Sequence, residues 1–357
     1  MPKIRVLRSG VASMKLCRAG SKAAVVAALV IVVGACGGNP QDAQGTQGTH
    51  ALVRPSSGAT AWQDFVQASS TSGCPSPACS DILAQVQTGA TTRTVPSDLT
   101  PSLQDAANDL LTPDGGNCSQ LPMSGLDRAY QPCVFDAGAP PSAPMMILIG
   151  NSRAVMWSRA LLALASQLGY RFGFVQHEGC SMPRVEHPTH TGSVSAAECK
   201  EWEDSAVNWV NQQNPAVVLV ASGPDLSDQV SPAELASGYA ATLKELQGPG
   251  RKLFVLGEVP RLSEDPPRCL AAHSSSALKC ATPPSEATSP DELQAGVDAA
   301  RQSGAGYVNL TPWLCTSDVC PAIVGHYLAY RDQVHLTTTF AEALVPVFQQ
   351  AINIGHA

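Results

Sequence analysis

The chain has 357 residues, 44% of them hydrophobic and 14% charged, which excludes a disordered protein and leaves room for one large domain or one domain with an appendage. Its formal net charge is -7. An acidic surface disfavours phosphate-bearing partners, so no nucleic-acid ligand is expected.

The first segment is basic, with Lys3, Arg5, Arg8, Lys15, Arg18 and Lys22, and runs into an uninterrupted apolar stretch over residues 23–35. This is the layout of a secretory signal. The apolar stretch is short of the ~20 residues that a spanning helix needs, and Gly37, Gly38, Asn39 and Pro40 follow it at once. Val33-Gly34-Ala35-Cys36 resembles a bacterial lipobox, in which the cysteine is acylated and becomes the first residue. Residues 1–35 are thus read as a lipoprotein signal peptide and Cys36 as the point of lipid attachment, which implies a location on the extracytoplasmic face of the cell membrane. Cleavage would remove six of 22 basic residues and none of 29 acidic ones, leaving 16 minus 29, or -13. Residues 36–57 are mostly small and polar and read as a flexible tether.

Residues 58–143 read as a small appendage packed on the main domain, with short helical patterns at 61–68 and 103–111 broken by Cys- and Pro-rich turns. Apart from Cys17 and Cys36, ten cysteines fall as neighbours: Cys74 with Cys79, Cys118 with Cys133, Cys180 with Cys199, Cys269 with Cys280, and Cys315 with Cys320. An even number in an exported chain implies disulfides; their connectivity is open, and local pairing is the expectation. Zinc would favour closer spacing within each pair. Glu186, His187 and His190 lie beside Pro183 and Pro188, which mark a loop rather than a ligand-bearing helix. No metal is expected, and the absence of a Walker loop and of a dinucleotide fingerprint leaves no cofactor expected either.

From residue 144 onward, residues 144–357, short apolar runs alternate with amphipathic segments. The runs at 145–149, 172–176, 216–221, 252–256 and 307–310 have the length of buried strands. Trp157, Leu161, Leu164, Ala165 and Leu168 share one helical face; Phe340, Leu344, Val347, Phe348 and Ile352 share another. The alternation predicts an α/β fold whose five-stranded parallel sheet is covered on both faces, with ligands bound beyond the carboxyl ends of the strands.

The first of these runs ends at Ile149-Gly150-Asn151-Ser152-Arg153, with a helix behind it. Ser152 would sit at the open end of the sheet beside a helix N-terminus, a favourable place for an acyl-transfer nucleophile, although a serine there also serves as an ordinary N-cap. Asp332-Gln333-Val334-His335 lies after the last run and before the last helix, hence on the same edge. A serine hydroxyl needs an imidazole to take its proton, and the imidazole needs a carboxylate to hold its tautomer. An Asp three residues before a His can do this within one turn; the plainer roles are a helix cap for Asp332 and a half-buried polar residue for His335.

These blocks resemble the SGNH hydrolase superfamily, most closely the SGNH domain fused behind membrane acyltransferases that O-acylate bacterial surface polysaccharides. Gly150, Ser152 and Trp157 match the family's Gly-Asp-Ser-His block and its trailing Trp; Asp332, His335 and Leu336 match Asp-x-x-His-Leu. Gly179-Cys180 with Pro183, Cys199 with Trp202, and Val259-Pro260 with Pro267 and Cys269 are similar to its connecting segments, and residues 95–103 with Cys118 and Cys133 to its leader.

The resemblance implies a three-layer SGNH/flavodoxin-like sandwich and a serine esterase or O-acyltransferase acting on O-acyl groups of cell-envelope glycans or glycolipids. Ser152 would be its nucleophile, His335 its general base and Asp332 the group that orients the base. The Ser152 amide, Gly179 and Ser222 would stabilise the oxyanion, and a transferase would draw on a membrane acyl-donor protein. Asn151 replaces the family's Asp and Arg153 its His, while Ala221-Ser222-Gly223-Pro224-Asp225 lacks the oxyanion asparagine of the wider superfamily. These departures leave a second reading, a non-catalytic envelope lipoprotein that uses the fold as a binding module.

Overall fold

The aliphatic and β-branched runs after residue 144 become strands in the computed structural model, which describes residues 77–113, 133–185, 194–223 and 230–357. The signal peptide, Cys36, the tether, the pattern at 61–68, Cys74, Cys118, Glu186, His187 and His190 lie outside the described residues.

In chain order, helix α1 (Pro77–Gly89) and strand β1 (Cys133–Phe135) precede β2 (Met145–Gly150), α2 (Ser152–Leu168), β3 (Arg171–Gln176), α3 (Ala196–Gln213) and β4 (Val217–Ala221). Then come α4 (Pro232–Glu245), β5 (Lys252–Leu256), α5 (Pro290–Ser303) and β6 (Gly306–Val308), with short helices at Pro266–Ala272 and Pro284–Ala287 between β5 and α5. A small ladder of β7 (Ile323–Val324) and β8 (Tyr327–Leu328) leads to α6 (Thr338–Ala343) and α7 (Val345–Ile352).

The main sheet runs β1-β3-β2-β4-β5-β6. The five strands β2 to β6 are parallel, as expected. A sixth, β1, joins antiparallel on the edge beside β3 and comes from within the stretch 58–143. Three residues are too few to show a period of two, so β1 carries no sequence signal of its own.

The sheet is buried on both faces, which explains why its strands read as continuous apolar runs. Met146 and Leu148 of β2 pack with Leu161 and Leu164 of α2 and with Phe340 and Phe348 of the last two helices. Met145, Ile147 and Ile149 point to the other side, among Trp202 and Val207 of α3 and Tyr239 and Leu243 of α4. Helix ends follow local chemistry: Ser231 and Glu234 form a capping box on α4, and Ser289 caps α5 ahead of Pro290.

Three local details differ from expectation. The run at 307–310 is a strand only over Gly306–Val308, and Pro312 sits in a tight helical turn, Thr311–Trp313. The last helix is two, parted at Leu344, because Pro346 has no amide to donate to the carbonyl of Glu342. Residues 103–111 hold a single turn, Ala106–Asn108.

Cys180–Cys199, Cys269–Cys280 and Cys315–Cys320 form the local disulfides expected of them. Cys79 and Cys133 are also disulfide-bonded.

Candidate active site

The end of β2 lies so close to β4 that a Cβ on Gly150 would fall 1.8 Å from the Ala221 carbonyl oxygen. Only glycine fits this approach, which delivers the next residues to the carboxyl edge of the sheet. Asn151 then caps α2: its Oδ1 accepts the Arg153 amide at 3.0 Å, while its Nδ2 donates to the Gly223 carbonyl at 3.1 Å. Capping is therefore the work of Asn151, and Ser152, the first residue of α2, keeps its hydroxyl for other partners. The two bonds also give a reason for asparagine here. An aspartate could cap the helix but would set a carboxylate against the Gly223 carbonyl, at a residue only 1% exposed.

Ser152 Oγ lies 3.0 Å from His335 Nε2. His335 Nδ1 faces both oxygens of Asp332, at 3.0 and 2.9 Å. The loop that carries them is closed by Asp332 itself, whose Oδ1 accepts the amides of Val334 and His335 at 2.9 and 2.8 Å, and by the Arg331 amide, which donates to the His335 carbonyl at 3.0 Å. Burial would raise the Asp332 carboxyl; the hydrogen bond and charge of His335, with the two loop amides, outweigh it and hold the group at about 2. An ionised Asp332 keeps a proton on Nδ1 and leaves Nε2 as an acceptor toward Ser152. Arg331 Nε stands 3.4 Å behind the same carboxylate.

Gly179 is in the turn after β3, in the left-handed region at φ 80°. The turn is tied down by the Cys180–Cys199 disulfide and by the His177 amide, which donates to the Gly150 carbonyl at 3.1 Å. Ser222 stands just beyond the end of β4 and is 2% exposed; its hydroxyl oxygen accepts the Met182 amide at 2.8 Å, which ties the Gly179 turn to the sheet and leaves the O–H as a donor. Trp157 and Trp202 are core residues. Among the described residues no group of three His, Cys, Asp or Glu is placed to hold a metal, and no helix is long and apolar enough to cross a membrane.

Three contributors escaped the sequence reading. His177 packs edge-on to Trp202, at 5.7 Å between ring centroids, and faces Glu198 at 3.9 Å. Ser181 Oγ donates to the Gly223 carbonyl at 3.2 Å, and Arg153 Nη1 donates to the Val334 carbonyl. Only Arg153 carried a signal, as a departure from the family's residue beside the serine.

A family model described as the SGNH domain fused to AT3 domains matches residues 117–350. No curated protein matches the chain. Similar solved structures include the periplasmic domain of the lipopolysaccharide acetyltransferase of Salmonella ser. Paratyphi A, which is 18% identical, with 60% of this chain and 85% of that one covered at a TM-score of 0.48. A GDSL-like lipase from Bacteroides thetaiotaomicron is 13% identical, with 59% and 88% covered at a TM-score of 0.38.

Proposed function

This chain belongs to the family of SGNH domains found fused to AT3 domains, and we propose that it is a serine esterase or O-acyltransferase acting on O-acyl groups of cell-envelope glycans or glycolipids. One observation carries the reading: the chain of hydrogen bonds from Asp332 through His335 to Ser152, with 3.0 Å between His335 Nε2 and Ser152 Oγ.

In this reading Ser152 Oγ attacks the acyl carbonyl as its proton passes to His335 Nε2, and Asp332 stabilises the imidazolium. The Ser152 and Gly179 amides, with Ser222, would stabilise the developing oxyanion, helped by the positive end of α2. His335 returns the proton to the departing sugar hydroxyl, leaving an acyl-serine. Water, or the hydroxyl of an acceptor glycan, then attacks with His335 again as base, so hydrolysis and transfer differ only in the second nucleophile. As a transferase the protein would draw its acyl group from a separate membrane acyl-donor protein.

Cleavage after residue 35, lipidation of Cys36 and a tether over 36–57 would hold the folded part, an appendage at 58–143 and a catalytic domain at 144–357, on the extracytoplasmic face of the cell membrane. The three local disulfides support an oxidising compartment.

Asn151 in place of the family's Asp and the missing oxyanion asparagine after β4 favour the second reading, a binding module that keeps the fold without turnover. Mass spectrometry after exposing the soluble domain to a fluorophosphonate separates the two. Covalent addition at Ser152, lost in His335→Ala, is expected of the enzyme; unmodified protein would overturn the catalytic reading in favour of the binding module.

A further inference from the structure

Arg153 follows Ser152 directly at the start of α2 and is half-buried. Its guanidinium leaves the helix, passes over Gly223 beyond the end of β4, and reaches the loop of Asp332 and His335, where Nη1 donates to the Val334 carbonyl. A Cβ at Gly223 would come within 2.8 Å of Arg153 Nε, 3.2 Å of its Cγ and 3.1 Å of Glu258 Oε2. Gly223 is not among the positive-φ glycines, so a side chain here would be opposed by the atoms of Arg153 and Glu258 rather than by the backbone. The same Gly223 carbonyl receives Asn151 Nδ2 and Ser181 Oγ, at 3.1 and 3.2 Å. One side chain thus spans three separate segments: the helix of the nucleophile, the end of β4 and the loop of the base.

The Asp332 turn is closed by its own bonds, which orient His335 within the loop but do not set the loop against α2. Among the described residues the other polar links between them are the Ser152–His335 bond itself and the Leu336 amide facing Met156 Sδ at 3.4 Å, a weak acceptor. The bond from Arg153 is the charge-assisted one. We infer that Arg153 is a positioning residue, which holds the His335 loop in register with Ser152 and uses the space that Gly223 leaves open. The inference rests on the catalytic reading of Ser152 and His335, and it assigns a purpose to the arginine beside the nucleophile.

Misplacement of a reacting group by about 1 Å costs roughly a hundredfold in rate. Arg153→Met keeps the stem over Gly223 and removes the donor. It should lower kcat on a small neutral ester by roughly ten- to a hundredfold with little change in KM, and Arg153→Lys should recover part of the loss. The nearest atoms to an alanine Cβ at Gly223 belong to the Arg153 and Glu258 side chains, which can give way, so Gly223→Ala should fold, displace the guanidinium and reproduce the loss with the triad untouched; the two changes combined should cost little more than either alone. Hydrogen exchange of the peptide holding residues 331–336 should quicken in both single variants while their Tm stays near the parent's.

A normal kcat in Arg153→Met, a loss confined to KM, or a fall in kcat with unchanged exchange at 331–336 would each overturn the assignment. Failure of the catalytic reading looks different: the parent is then neither labelled by fluorophosphonate nor active on esters. In that event the exchange measurement still decides whether Arg153 anchors the loop, and unchanged protection in both variants overturns it.

Discussion

Replacing Asp332 by Asn removes a charge and exchanges an acceptor for a donor within the same outline. The Oδ1 atom that receives the Val334 and His335 amides at 2.9 and 2.8 Å survives as a carbonyl oxygen, so the turn should keep its shape. The new amide group then faces His335 Nδ1, 2.9 Å from the present Oδ2, and its donation favours an accepting Nδ1 over one that donates to Oδ1, 3.0 Å away and already bound to two amides. The ring proton moves to Nε2 and faces Ser152, a tautomer that cannot take the serine proton. We expect kcat for p-nitrophenyl acetate to fall by roughly a thousand- to ten-thousandfold with KM nearly unchanged.

Stability changes in a pH-dependent way. The native carboxyl is held at about 2 against an ordinary value of 3.8, so its contribution is complete above the unfolded value and is lost as pH falls through the native one. The shift corresponds to about 2 kcal/mol, and less in salt, because the side chain is 31% exposed. Urea unfolding should therefore separate parent and variant at about pH 5, with the gap closing toward about pH 2. Nitrogen chemical shifts of His335 report the tautomer directly. A variant that retains a tenth of the parent's kcat, or whose His335 still carries its proton on Nδ1, refutes the reasoning.

Ser152→Ala and His335→Ala should each abolish ester cleavage, and the double variant should be no worse than either, since both disable one shared step; comparable activity in Ser152→Ala and the parent would defeat the mechanism. Asn151→Asp should cost roughly 1 to 3 kcal/mol at neutral pH, read as a lower urea midpoint, because it exchanges a buried donor to Gly223 for a repelled carboxylate. A midpoint equal to the parent's would show that the Gly223 bond is unimportant. Cys36→Ala should release the protein from membranes or stall its processing, whereas retention through an alkaline carbonate wash would point to an uncleaved helix.

The reach of the sequence followed the range of each interaction. Residues 145–149 and 252–256 were legible as strands because burial on both faces demands an unbroken apolar run, and α2 because Trp157, Leu161, Leu164 and Leu168 recur at helical spacing on the buried side. Ser152, Asp332 and His335 were legible as candidates because each sits at a strand–helix junction whose local pattern is strong. Strand β1 was not, since Cys133, Val134 and Phe135 pair with β3 only because the folded sheet offers an open edge there. The break at Leu344 could have been read from Pro346, but the apolar face continues through it and masks the interruption.

What the sequence by itself determined is the set of local commitments: which segments bury, where helices start, which glycines and prolines turn the chain, and which serine, histidine and aspartate stand at the carboxyl edge. What only the tertiary structure decided is how residues far apart in the chain share a few ångströms of space. Ser152 and His335, 183 positions apart in the chain, close to a 3.0 Å contact. Ser222, expected as an oxyanion donor from its place after β4, also accepts the Met182 amide and so ties the Gly179 turn to the sheet. Asn151 and Arg153 are departures from a pattern until Gly223 and Val334 are seen beside them. A hydrogen bond depends on the position of two atoms to within tenths of an ångström, and the packing of the two cores against the sheet sets those positions, not the order of residues along any one segment.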